Sequence, residues 1–375
     1  MQAALNEAKD LMNLKNKILE SDAHEYKLQI ASANRIYKIV ILSSDYKTIT
    51  TQDEIWNLNS GEFQENKKIS DGIFLGEKIV IDENIDCWVT CFAKISDGIY
   101  AISAKGLNGL SIIGAPTDTF FGLVEVKNEK IYKIIKTFDR FTEDSSSSDM
   151  GYDKMVTAIL ITSDKNIFYT QGRYLYYLNI KNSSLHIYYT APKDRWIEAI
   201  AITPDEKYIY CAYKNYIDKI DIFNYKNVEP FIIEKEDEEN DILSISATND
   251  GKDIVVSFKD IIKILDGITG KEKINLVFFK DNKLQYNKQD GYNYLINSFY
   301  SSRKPSNIKY REWVAYTNDG YYDCSSAAKQ YVGFFNGDVL LDKSDNIYEQ
   351  KKVYNLVSKI LKNDIEDIYG NILNI

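Results

Sequence analysis

Histidine is nearly missing from this chain of 375 residues, which has two, His24 and His186, and it has only four cysteines and five prolines. A reaction run by imidazole acid–base chemistry, or a histidine-rich metal centre, has little to work with here. His24 ends a helix-like stretch and His186 sits in the strand-like run HIYY, neither beside a cysteine or serine motif it could activate. Cys87, Cys91, Cys211 and Cys324 form no CxxC pair, and neither an HExxH motif nor a complete calcium loop occurs, so no metal and no cofactor is expected. Cys87 and Cys91, four apart around Trp88, Val89 and Thr90, read as two reduced thiols on one face of a strand.

Positive charge is also short. Lysine and arginine number 46 against 55 aspartates and glutamates, a formal net charge of -9, and no run of sequence forms a basic face, which argues against nucleic acid as a partner. The opening residues, MQAALNEAKDLMNLK, lack the continuous apolar core of a secretory signal or a membrane span. The expectation is a cytoplasmic protein without membrane association. With only 18 glycines and five prolines, turns must be built largely from Asn, Asp and Ser, which hydrogen-bond to their own backbone.

What the chain does have is 29 tyrosines, 16 phenylalanines and abundant isoleucine, a composition that favours pleated strands. Six segments repeat one pattern, a short apolar alternation ending in a polar residue and Asp: VILSSD at Asp45, FAKISD at Asp97, ILITSD at Asp164, IAITPD at Asp205, ISATND at Asp250 and VAYTND at Asp319. All but the second carry Ser or Thr two residues before the Asp; Ile95 is the exception. Each Asp is expected to accept hydrogen bonds within its own turn. In IAITPD the alternation predicts Ile200 and Ile202 on a buried face and Ala201 and Thr203 on the other.

A second strand follows each turn, as in YIYCAY from Tyr208 and DIVVSF from Asp253, then a third such as IIKILD from Ile261, then a fourth such as KINLVFF from Lys273. Four antiparallel strands per repeat are the blade of a β-propeller. The shortest intervals, Asp164 to Asp205 and Asp205 to Asp250, match a blade length of about 40–45 residues. The longer intervals hold added material, residues 105–118 and 283–310.

The segment from Arg311 to Phe335 resembles the closing element of bacterial WD40-repeat proteins, with the pattern WVxxTPDGYYxxSxxxxxY carried by Trp313, Val314, Thr317, Asp319, Gly320, Tyr321, Tyr322, Ser325 and Tyr331. Asn318 stands where that pattern has proline, which loosens the turn. The resemblance implies an all-β, WD40-like propeller, six blades or alternatively seven, followed by a helical tail like LLDKSDNIYEQKKVYNLVSKIL from Leu340. Relatives of this kind are linked to caspase-like or tetratricopeptide-repeat modules.

The expected domains are an amphipathic helix over 1–24, a propeller over 25–338 with 25–32 as its closing strand, and a tail over 339–375. Trp56, Trp88, Trp196 and Trp313 are expected mostly to fill space between blades, with exposed Tyr and Arg of the loops as interface anchors. The acidic run Glu234 to Asp241 and the serines Ser145 to Ser148 read as solvated loops. No residue is assigned a catalytic role. The functional expectation is a non-catalytic scaffold for protein partners. The alternatives are a propeller enzyme or small-ligand binder with a site in the central channel, and a target-sensing adaptor for a separately encoded effector such as a caspase-like protease.

Overall fold

The computed structural model describes residues 26–30, 40–43, 48–51, 54–58, 63–65, 78–82, 85–106, 118–127, 130–142, 156–193, 195–232, 241–258, 261–279, 312–336 and 339–362. The expected helix of residues 1–24, with His24, and the turn residue Asp45 lie outside them, as do Ser145–Ser148, residues 283–310 and the acidic run up to Asn240. The chain is all-β and divides into two compact units, one of residues 34–275 and the other of residues 1–33 with 276–375.

Strand β1 is Tyr26–Ile30 and belongs to the second of these units. The larger unit is a series of antiparallel sheets. The first holds β2 to β5 (Val40–Leu42, Thr48–Thr51, Glu54–Asn57, Phe63–Glu65) in sequence order. The next has five strands, β6 (Lys78–Asp82), β7 (Ile85–Ser96), β8 (Ile99–Gly106), β9 (Asp118–Lys127) and β10 (Lys130–Thr142). Part of the added length in this repeat therefore lies in the long β9–β10 hairpin. Two four-stranded sheets follow: β11 to β14 (Val156–Ile161, Ile167–Gln171, Tyr174–Leu178, Leu185–Thr190) and β15 to β18 (Ala199–Ile202, Tyr208–Tyr213, Tyr216–Asp221, Val228–Ile232). After them come β19 (Ser244–Ala247), β20 (Asp253–Ser257) and β21 (Ile262–Asp266), and β22 (Glu272–Phe278) crosses the division between the units.

The first strands of three pairs of successive repeats lie side by side, β11 beside β7, β15 beside β11 and β19 beside β15, and β2 of the first repeat lies beside β19 of the fifth. Burial follows from this stacking. In β12, Ile167 and Tyr169 join a core shared with Ala101, Phe121 and Leu123 of the preceding sheet, while Phe168 joins a second core with Ile200, Ile209 and Cys211 of the following one. The strand alternation thus sorts side chains between two cores and not between core and solvent. This corrects the half-buried reading of β15, in which Ile200 and Ala201 are both buried and Ile202 is the partly exposed residue. Each fully buried Ile or Phe contributes about 1.5–3 kcal/mol, and the β11–β14 sheet is held in this way from both sides.

In the smaller unit β1 pairs antiparallel with β25 (Val332–Asn336), from Tyr26 opposite Asn336 to Ile30 opposite Val332. Ahead of β25 lie the hairpin of β23 (Trp313–Tyr316) and β24 (Tyr322–Cys324) and a 3-10 turn, Ser326–Tyr331. Beyond it come β26 (Val339–Leu340) and two short helices, α1 (Ile347–Gln350) and α2 (Leu356–Leu361). The tail is anchored by polar contacts: Asp323 accepts the Asn355 N–H at 2.7 Å, and Tyr322 donates its hydroxyl to the Tyr348 carbonyl at 2.7 Å. Among the described residues no helix is long and apolar enough to cross a membrane.

Candidate functional site

The repeated turn is the first feature to build from. Thr162, Thr203 and Thr248 each donate a hydroxyl to the Asp two residues on, Asp164, Asp205 and Asp250, at 2.5, 2.6 and 2.7 Å. The same hydroxyls accept the N–H of Asn166, Tyr208 and Asp253 across the turn at 3.0 Å each. Ser43 accepts from Thr48 in the same way at 2.9 Å, and Thr317 from Tyr321 at 3.2 Å. The hydroxyl, first, and then a backbone N–H hold the Asp164 and Asp205 carboxyls below the usual aspartate range. Asp97, in the repeat with Ile95, is fully exposed and pairs with Lys94 at 3.1 Å. Asp319 is exposed at the tip of its own turn.

The residue after each described repeat Asp is left-handed: Gly98, Lys165, Glu206, Gly251 and Gly320, with φ of 69, 70, 55, 71 and 82°. Two of these non-glycine costs are turned to use. The Lys165 ammonium donates to the Ile95 carbonyl at 2.6 Å, and the Glu206 carboxylate accepts the Ser163 N–H at 2.5 Å and its hydroxyl at 3.1 Å. Each side chain reaches back to the turn of the preceding sheet. The turns are latches between sheets.

A different set of loops gathers Arg, Tyr and Trp. The β12–β13 turn passes through Gly172 and Arg173, and the β16–β17 turn through Lys214 and Asn215. Ala191, Ile197 and Glu198 fasten to the first of these turns and to the end of β16, with Ala191 N–H donating to the Arg173 carbonyl at 2.8 Å, Ile197 N–H to Gly172 at 2.9 Å and Glu198 N–H to Ala212 at 2.9 Å. Ile242 N–H donates to Lys214 at 2.7 Å, repeating the Ile197 contact one sheet further on. Residues distant in sequence thereby share one end of two adjacent sheets.

At that end Arg195 lies over the Tyr216 ring at 3.8 Å and near the Tyr213 ring at 5.6 Å, the two rings being nearly parallel at 20° with centroids 5.9 Å apart. Arg173 stands 5.5 Å from the Tyr174 ring. Trp196, next to Arg195, is 46% exposed, so it does not fill space between sheets, whereas Trp313 is buried as expected. Trp56 and Trp88 stand in β4 and β7.

Asp218 stands at the middle of β17 and is 4% exposed. Its Oδ2 accepts the hydroxyls of both Tyr213 and Tyr189, the latter from the neighbouring sheet. Burial, and then the hydrogen bond to Asp218, raise both phenols above the ordinary tyrosine range, so they remain donors at any physiological pH. The Arg195 guanidinium lies 5.6 Å from the ring of Tyr213, one of the two tyrosines that serve Asp218. A buried carboxylate without donors is costly, and here two hydroxyls meet it.

The cysteines are placed apart. Cys211 and Cys324 are buried and Cys91 half-buried, and burial pushes the Cys91 thiol up to about 12 and the Cys324 thiol up to about 11. A bulge between Val89 and Cys91 shifts the β7–β8 register, and the side chain of Cys87 lies outside the described ones. His186 is exposed on β14, with its ring 5.0 Å from Tyr177. Among the described residues no group of three or more His, Cys, Asp or Glu could hold a metal ion.

The arginines and tyrosines of this end were not singled out by motif. The signal that could have found them is divergence between aligned repeats: Asp218 stands where the next repeat has Lys263, and Tyr213 and Tyr216 where it has Phe258 and Ile261. Comparison of the chain with known protein families and with curated proteins finds no match.

Proposed function

We propose that this chain is a cytoplasmic, WD40-like β-propeller of six blades that holds partner proteins and carries out no reaction of its own. The blade reading is supported by the series of four-stranded antiparallel sheets, by first strands lying side by side, and by one turn chemistry repeated from Ser43 to Thr317. The resemblance of the Trp313 to Tyr331 segment to the WD40 closing element supports it from the sequence side.

The observation that carries the binding reading is the end built from Arg173, Tyr174, Arg195, Trp196 and Tyr216. Trp, Tyr and Arg dominate the energetics of protein interfaces because they offer large contact area together with a polar handle. Trp196 is exposed while its neighbours are fixed by backbone hydrogen bonds, a rigid presentation that reduces the entropy lost on binding. The test is a photo-reactive amino acid placed at Trp196 or, as a control at the β17–β18 turn, at Phe223, which is 82% exposed. Cross-linking in cells to a defined protein from position 196 and not from 223 is expected. Equal, diffuse labelling from both positions would count against the assignment.

A further inference from the structure

We infer that this end of the molecule recognises a carboxylate on an extended segment of a protein partner, with Arg195 as the group that binds it. The inference rests on the binding reading above and adds the chemistry of the partner.

Arg195 is half-buried, its guanidinium 3.8 Å from the centroid of the Tyr216 ring and 5.6 Å from that of Tyr213, whose hydroxyl is fixed on Asp218 together with that of Tyr189 from the neighbouring sheet. An arginine on a free surface stem samples many rotamers and loses that freedom when it binds. Packing over Tyr216 restricts this one in advance. Among the described residues Arg195 has no carboxylate partner, and Asp218 spends its hydrogen bonds on the two phenols, so the guanidinium keeps donors for another molecule.

A rigid, aromatic-backed guanidinium with unspent donors matches a planar oxyanion, which it can meet with two parallel N–H bonds. Trp196 beside it offers apolar area for a neighbouring side chain of the same partner. The net charge of -9 does not forbid this, because exposed charges farther away than about 8 Å are screened at physiological ionic strength.

The test is selection from a random-peptide display library on the full chain, in parallel on wild type, Arg195→Gln and Arg195→Lys. Wild type is expected to enrich peptides with an isolated Asp or Glu next to an aromatic or aliphatic residue. Replacing that acid by its amide in a selected peptide should weaken binding roughly tenfold or more, since a charged hydrogen-bonded pair is lost. Arg195→Gln should retain the apolar preference and lose the acidic one, and Arg195→Lys should recover only part of it because the planar fork is missing. Enrichment with no acidic preference, or one unchanged in Arg195→Gln, overturns the carboxylate inference and leaves the binding surface standing. No enrichment at all removes both.

Discussion

Asp218 is the residue on which the Arg195 end depends most. Its carboxylate joins β17 to Tyr213 in the same sheet and to Tyr189 in the neighbouring one, so two sheets are pinned through a single oxygen. Asp218→Ala leaves two largely buried hydroxyls without their acceptor and is expected to destabilise the chain by about 2 kcal/mol or more, whereas Asp218→Asn, which keeps an acceptor, should cost about 1 kcal/mol. Urea unfolding of the two variants checks the order. The repeat aspartates behave differently because they face water. The folded pKa values of Asp164 and Asp205 lie below the unfolded one, so their contribution is present above the ordinary aspartate pKa near ~4 and is lost as pH falls through the lowered folded value. Denaturation midpoints of wild type and Asp205→Asn should therefore differ near neutrality and converge on acidification. A constant gap would contradict the assignment.

At the scale of elements the turn between the first and second strands of each repeat decides how neighbouring sheets are joined. Gly251 has φ of 71°, and an added Cβ would stand 3.4 Å from Pro204 of the preceding turn. Gly251→Ala should cost about 1 kcal/mol or more from the left-handed backbone, seen as a lower unfolding midpoint. Glu206→Ala keeps the strained φ and removes the tie to Ser163, so it is expected to destabilise by about 1 kcal/mol, while Glu206→Gly removes strain and tie together and should fall closer to wild type. The hydroxyl and the Asp of these turns could be read in the sequence because their bonds are local, within five residues. Lys165 and Glu206 could not, since neither residue type announces a left-handed backbone and their partners lie in another repeat. The strand alternation was legible too, but stacking of sheets on both sides changed its meaning: Phe168 and Tyr169 point to two different cores. A one-residue bulge at Thr90 was invisible in a pattern that counts by twos.

For the whole molecule, the repeats could be traced in sequence because each carries its own turn signal, and the candidate binding end could not, because it is assembled from residues that differ between repeats. Arg173, Arg195 and Tyr216 come to one end of two adjacent sheets only after two hairpins and the backbone at Ala191, Ile197 and Glu198 are hydrogen-bonded together. That is the physical reason a repeat fold can keep its turns alike and still present a particular surface: the hydroxyl turns recur between repeats, and the arginines, tyrosines and Trp196 do not. The central claim is that this surface holds a protein partner. The most direct measurement is affinity purification of the tagged full chain from its native cells, with quantitative mass spectrometry of wild type, Trp196→Ala and Phe223→Ala. A stoichiometric partner present with wild type and Phe223→Ala and lost with Trp196→Ala is the predicted result; partners unchanged across all three, or none in any, would contradict it.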